Sequence, residues 1–244
     1  MSSGKIDLTP DEIVALLKKS YEPTVLIEGK DDIVIYRKLE DISEVSVLQT
    51  GGRNTLISVF NRRSEFHGKK VAFIADQDCW CVTGIPSEYI DERLIFTSGY
   101  SIENDIFIDI NIINMMNGAE KELFNQELNM FVDWYSLAVK RFITNGDQSL
   151  KDHPNKILDD LNKYNEFCKI SDEEKYPCEI KKLISDNPIL KIRGKSLFDL
   201  ALRQLGNPNR NVVHKNPKIF FDFAAANPGK NINKIFSNIK RIFG

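Results

Sequence analysis

Two aspartates one residue apart, Asp76 and Asp78, follow the apolar run Val71-Ala72-Phe73-Ile74-Ala75. On an extended segment alternate residues point the same way with Cα atoms about 6.5 Å apart. Two carboxylates so placed can share one hard cation or each take one of a pair, and oxygen-only ligands favour Mg²⁺ or Mn²⁺ over Zn²⁺. The same pattern also suits a solvated turn after a strand. Glu28 follows an earlier apolar run, Thr24-Val25-Leu26-Ile27, and precedes Gly29, which lets the backbone turn tightly. A glutamate there can bind a metal or hand a proton to a leaving oxygen. Asp31 and Asp32 come next. One of them suits a helix cap; we assign the cap to Asp31 and a place in the metal shell to Asp32. Glu103, in Ser101-Ile102-Glu103-Asn104, fits either that shell or the first turn of a helix capped by Ser101, and spacing favours the helix turn.

The matching positive charge is sought among Lys195, Arg193 and Arg53. Lys195, in Ile192-Arg193-Gly194-Lys195-Ser196, can stabilise charge growing on a phosphoryl transition state, or be one of a pair of solvated cations with Arg193. Gly194-Lys195-Ser196 is not a nucleotide-binding loop, because position 189, where that loop needs glycine, is Ile189. Gly51-Gly52-Arg53 suits either a plain turn or a loop whose bare amides approach a phosphate. Cys79-Trp80-Cys81 has the wrong spacing for zinc and no second ligand pair. His67, His153 and His214 are scattered, so no Ser-His-Asp arrangement is readable.

The elements that would position these residues alternate. Thr9-Pro10-Asp11-Glu12 starts a helix, with Thr9 as N-cap and Glu12 closing a capping box, running to about Lys19. Pro23–Ile27 reads as a strand, Ile33–Leu39 as a helix, Val45–Leu48 as a strand and Leu56–Phe60 as a helix. Lys70–Ala75 and Arg93–Thr97 complete four strands, and a helix begins near Ser101. This order predicts an α/β fold: a Rossmann-like parallel sheet with helices on both faces. Such sheets bind ligands beyond the C-terminal ends of their strands, where Glu28 and Asp76 stand. Strand signals vanish after about residue 112. Residues 120–185 read as helical, with polar breaks near Asn145-Gly146-Asp147 and Ser171-Asp172. One amphipathic helix (Leu197, Leu200, Ala201, Leu205) then precedes an Asn- and Pro-punctuated tail. We divide the chain into a catalytic core (1–111), a helical insertion (112–190) and a basic C-terminal segment (191–244) carrying Arg193 and Lys195.

Charge is distributed unevenly. Residues 191–244 hold eleven Lys and Arg against Asp199 and Asp222 only, whereas the remainder carries an acidic excess, for a net charge of −2. An acidic front and a basic tail fit an enzyme that gathers cations in one part and holds a polyanion with another, though chance segregation fits equally. The start of the chain lacks the basic-then-apolar pattern of a secretory signal. The most apolar stretch, Ile106–Met116, is broken by Asp109 and Asn111, which excludes a membrane span there. Four irregularly spaced cysteines suit reduced thiols in a cytoplasm.

Val25-Leu26-Ile27-Glu28-Gly29-Lys30-Asp31-Asp32 resembles the first motif of Toprim domains, and Phe73-Ile74-Ala75-Asp76-Gln77-Asp78 the second. Tyr100-Ser101-Ile102-Glu103-Asn104 and Arg193-Gly194-Lys195 further resemble the Toprim subfamily of bacterial defence nucleases, the OLD-type enzymes and more closely the AriB-like effectors of the PARIS anti-phage system. The resemblance implies that Glu28, Asp32, Asp76, Asp78 and Glu103 hold one or two Mg²⁺ or Mn²⁺ ions. It also implies that Lys195 assists phosphoryl chemistry, that RNA, tRNA above all, is cut, and that an ABC-type ATPase controls the effector. Arg53, Arg193 and Lys195 are the expected nucleic-acid contacts, and a homodimer the expected active form. A DNA endonuclease and a non-catalytic module docking on the ATPase through 112–190 are the alternatives. Residues 112–190 match no family pattern.

Overall fold

Helix α1 (Pro10–Lys19) begins as the capping box requires: the Thr9 amide donates to the Glu12 carboxylate at 2.8 Å and the Glu12 amide to the Thr9 hydroxyl at 3.3 Å. A computed structural model describes residues 8–146 and 148–244. The reading of the N-terminus bears partly on residues 1–7, and the polar break at Asn145-Gly146-Asp147 partly on residue 147; residues 1–7 and 147 lie outside the described residues. After α1 come β1 (Thr24–Ile27), α2 (Ile33–Tyr36), α3 (Lys38–Ser43), β2 (Ser46–Gln49), α4 (Arg53–Asn61), β3 (Val71–Ala75), α5 (Trp80–Thr83) and β4 (Leu94–Phe96). Among the described residues only helices then follow: α6 (Ile102–Asp109), α7 (Gly118–Asn145), α8 (Pro154–Leu158), α9 (Leu161–Phe167), α10 (Cys178–Asp186), α11 (Pro188–Lys191), α12 (Gly194–Leu205), α13 (Lys218–Ala226) and α14 (Lys230–Phe243).

The four strands form one parallel sheet in the order β2-β1-β3-β4. The fold class is therefore α/β, with helices flanking an all-parallel sheet in a Rossmann-like manner. Strands β1 and β3 are buried along their whole length, which explains why they read as unbroken apolar runs. Ile13, Val14 and Leu17 of α1 and Leu56, Val59 and Phe60 of α4 pack on Leu26, Phe73 and Leu94 in one core. Phe60 meets Phe73 edge-on at 5.3 Å.

The chain divides into two compact units that are interleaved in sequence. The first comprises 1–77, 85–97 and 221–244, and the second 78–84 and 98–220. The second unit has its own core, in which Phe107 stacks near Phe124 (6.2 Å) and Phe198 (6.3 Å), and α7 contributes Phe131, Trp134 and Tyr135. Among the described residues no helix is long and apolar enough to cross a membrane.

Two expectations need correction. The helix read at 33–39 is two short ones: the Glu40 amide bonds back three residues to Arg37, tightening the turn, and the helix continues to Ser43 before Glu44 enters the left-handed region (φ 49°). The tail, read only as basic and punctuated by Asn and Pro, contains two helices, α13 and α14. Ile232, Ile235, Phe236 and Ile239 of α14 fall at i, i+3, i+4 and i+7 and are all buried, packing against α3 and β4. Ile239→Ala is therefore expected to destabilise the protein by about 2–4 kcal/mol. Urea unfolding followed by circular dichroism checks this; a tail without packing would give no change.

Candidate active site

The strand order places β1 between β2 and β3, so the connection from β1 runs one way and β3 lies on the other side. The topological switch point therefore falls between the C-terminal ends of β1 and β3. Glu28 immediately follows β1 and Asp76 immediately follows β3, which puts them on either side of that point. The two ends are joined: the Asp76 amide donates to Glu28 Oε1 at 3.0 Å. Arg53, the first residue of α4, comes from the next strand over. Its Nη1 donates to the Asp76 carbonyl, and it lies 3.4 Å from Glu28 Oε1. The Glu28 side chain is 12% exposed and that of Arg53 21%. An acid so far withdrawn from water needs such donors.

The loop before α4 makes this reach feasible. Gly51 and Gly52 hold φ of 80° and 144°, which only glycine adopts readily. A side chain at Gly52 would meet nothing within 4 Å, so the demand there is conformational, not steric. Arg53 is thus tied to the acidic residues, a role that the sequence reading as a nucleic-acid contact did not contain. Asp32, not Asp31, occupies the N-cap position of α2, and its carboxylate turns back to accept the Gly29 amide at 3.2 Å. Asp31 is exposed.

Asp78, Glu103, Arg193 and Lys195 belong to the second unit. Asp78 does not continue an extended segment from Asp76, as the alternation argument assumes. Its backbone is left-handed (φ 49°), its amide donates to the Tyr100 carbonyl at 2.7 Å, and its carbonyl accepts from Cys81 in the turn into α5. A non-glycine residue held there is strained, although Asp tolerates it better than most.

The segments around Glu103 and Arg193, some ninety residues apart, meet within this unit. Asn104 joins them and is fully buried. Its Oδ1 accepts from the Ser101 amide and hydroxyl, and its Nδ2 donates to the carbonyls of Ile189 (2.6 Å) and Ile192 (2.9 Å). The Tyr100 amide adds a bond to the Leu190 carbonyl at 2.7 Å. Gly194 is required by contact: a Cβ would lie 2.6 Å from Glu103 Cβ and 2.8 Å from Asn104 Oδ1. Glu103 is 4% exposed, so it is far more than a surface dipole partner. Lys195 is exposed at the start of α12. Asn104 was missed as a determinant because nothing in the sequence announces carbonyl partners so distant.

Two neighbouring groups are set aside by their surroundings. Burial, then the nearby Asp78 charge, pushes the Tyr100 phenol well above its ordinary value, so it stays protonated. Burial, then Cys79, pushes the Cys81 thiol up to about 12, which makes it a poor nucleophile.

Oxygen-only donors at the β1 and β3 ends are of the kind that a hard cation takes. Among the described residues no three His, Cys, Asp or Glu side chains converge as a ready shell. Mg²⁺ commonly rests on one or two carboxylates with water and substrate phosphate, and Glu28 and Asp76 are of the residue type that mode uses. No protein-family model matches the chain, and no curated protein matches it closely enough to show a relationship.

Asn104→Ala removes the side-chain partner of the Ile189 and Ile192 carbonyls and of the Ser101 amide, and is expected to cost about 3 kcal/mol in urea unfolding. Asp105 supplies a pH dependence. It is fully buried and accepts the Ser98 amide at 3.0 and 3.2 Å, and burial pushes its pKa up to about 7, opposed by the Ser98 and Gly99 amides. The folded state therefore binds this proton more tightly than the unfolded state. The associated stability is complete below about pH 4 and is lost as pH rises through 7, by at most about 4 kcal/mol. In Asp105→Asn that part of the pH dependence should vanish. An unchanged slope between pH 4 and 7 would show that Asp105 does not titrate in this range.

Proposed function

We propose that the protein is a metal-dependent phosphodiesterase of the Toprim type that cuts nucleic acid, RNA before DNA and tRNA above all. In this reading it is the toxic effector of a bacterial anti-phage system, held or released by an ABC-type ATPase. One observation carries the catalytic part: the Glu28 carboxylate is fixed by the Asp76 amide and by Arg53 at the switch point of a parallel sheet. Substrate class, defence role and partner come from the resemblance of the motifs.

Glu28 and Asp76 would hold Mg²⁺ or Mn²⁺, which when bound supplies Lewis acidity toward a phosphoryl oxygen and a hydroxide at neutral pH. Glu28 is kept oriented by the Asp76 amide, so the acid does not have to be reorganised when substrate arrives. Arg53 places a positive charge 3.4 Å from the Glu28 carboxylate. The resemblance adds Asp32, Asp78 and Glu103 as further oxygen donors and Lys195 as the cation facing developing phosphoryl charge. A second reading, a non-catalytic module that docks on the ATPase, is favoured by the Arg53–Glu28 pair itself, since an acid already neutralised by an arginine attracts a metal less strongly.

Labelled tRNA and plasmid DNA, incubated with the purified chain and Mg²⁺, Mn²⁺ or EDTA, separate these readings. Cutting should require metal and fall at least 100-fold in Glu28→Gln, which preserves the acceptor for the Asp76 amide. Cutting that survives EDTA or that substitution contradicts the assignment. Loss of DNA with tRNA spared moves the substrate to DNA, and binding without hydrolysis in Mn²⁺ supports the non-catalytic module.

A further inference from the structure

Helix α14 carries Lys230, Lys234, Lys240 and Arg241 and no acidic residue in its fourteen positions. All four cations are exposed, and none of them forms an ion pair among the described residues. Arginines elsewhere behave differently: Arg62, Arg63, Arg141, Arg203 and Arg210 are each bound to a carboxylate. Uncompensated charge concentrated on one helix face repels itself, and a polyanion relieves that repulsion.

The exposed face reads Lys230, Asn233, Lys234, Ser237, Lys240, Arg241; Ser237 sets a hydroxyl among the cations, while the Asn233 amide donates to the Pro228 carbonyl at 2.6 Å. Lys230 and Arg241 are about 16 Å apart along the axis at 1.5 Å per residue. That spans roughly five phosphates of one strand of a duplex. The end of the helix is extended by Lys70, whose Nζ donates to the Phe243 carbonyl at 3.1 Å. Lys70 immediately precedes β3, so this end of the track lies at the N-terminal end of the strands.

The apolar face of α14 is used up. Ile232, Ile235, Phe236 and Ile239 are at most 4% exposed, and α14 has no exposed large hydrophobic residue. Apart from Ile242 and Phe243, half-buried at its end, the helix offers little to insert into a lipid surface and no fully exposed aromatic or aliphatic anchor of the kind that dominates protein interfaces. What remains is charge and hydrogen-bond donors, the chemistry that meets a phosphate backbone without reading bases.

We propose that the exposed face of α14, with Lys70, is a sequence-independent binding surface for the phosphate backbone of nucleic acid. This rests on the nucleic-acid reading above only for the identity of the polyanion. The surface is distinct in sequence from Arg53, Arg193 and Lys195.

The test measures binding without cleavage, in EDTA, so that its failure and failure of the nuclease reading are distinguishable. Fluorescence anisotropy of a labelled 25-nucleotide RNA and a labelled DNA duplex is followed across KCl concentrations for the full chain. The Lys234→Gln/Arg241→Gln variant should bind at least tenfold more weakly at 100 mM KCl, and the slope of log K against log salt should fall by about 1.4–1.8, or 0.7–0.9 per cation removed. Circular dichroism verifies the fold, and the quadruple variant with Lys230→Gln and Lys240→Gln should lose more of both quantities. Equal affinity and slope in the variants overturn the proposal, as does wild-type binding to vesicles containing anionic lipid with none to either nucleic acid.

Discussion

A carboxylate withdrawn from water at the end of a strand must be held by donors, and Glu28 is held by the backbone amide that follows a neighbouring strand. The bond from Asp76 depends on β1 and β3 being parallel neighbours in the observed register, with Ile27 opposite Ile74. A slip of one residue would turn every side chain of the buried strand to the other face and separate the two ends. The core of α1, α4 and the sheet fixes that register, and so sets the geometry of the acids. Arg53 is delivered to the same place by a different constraint, two glycines at positive φ that let α4 begin close against the strand ends.

A related division of labour operates in the second unit. Asn104 uses both ends of its amide to fasten the start of α6 to the segment entering α12, and Gly194 allows the close approach. Glu103 is buried as a consequence of this joint. A polar residue satisfied on every side specifies one arrangement of the backbone, because any other leaves several buried groups without partners. Two motif segments far apart in sequence are thus parts of one local structure.

The four strands and their order of appearance were legible because buried parallel strands are apolar throughout, a signal that turns and glycines punctuate clearly. The capping box at Thr9–Glu12 was legible for the same reason: both partners are local. Glu28 and Asp76 could be placed at strand ends, but their connection could not, since it depends on register. The left-handed backbone at Asp78 was hidden because Asp occupies either conformation without a sequence mark. The α14 period, Ile232, Ile235, Phe236 and Ile239, was present in the sequence, yet the surrounding Asn residues and Pro208, Pro217 and Pro228 outweighed it. Those prolines lie between helices and terminate none of them internally.

The central claim is that Glu28 and Asp76 form one oxygen site for a divalent cation. Titration of the metal-free chain with Mn²⁺, followed by the electron paramagnetic resonance signal of the free ion, tests it without any substrate. Saturable binding that weakens at least tenfold in both Glu28→Gln and Asp76→Asn, with the fold intact by circular dichroism, is the expected result. Binding of equal strength in wild type and both variants, or no binding by wild type, contradicts it.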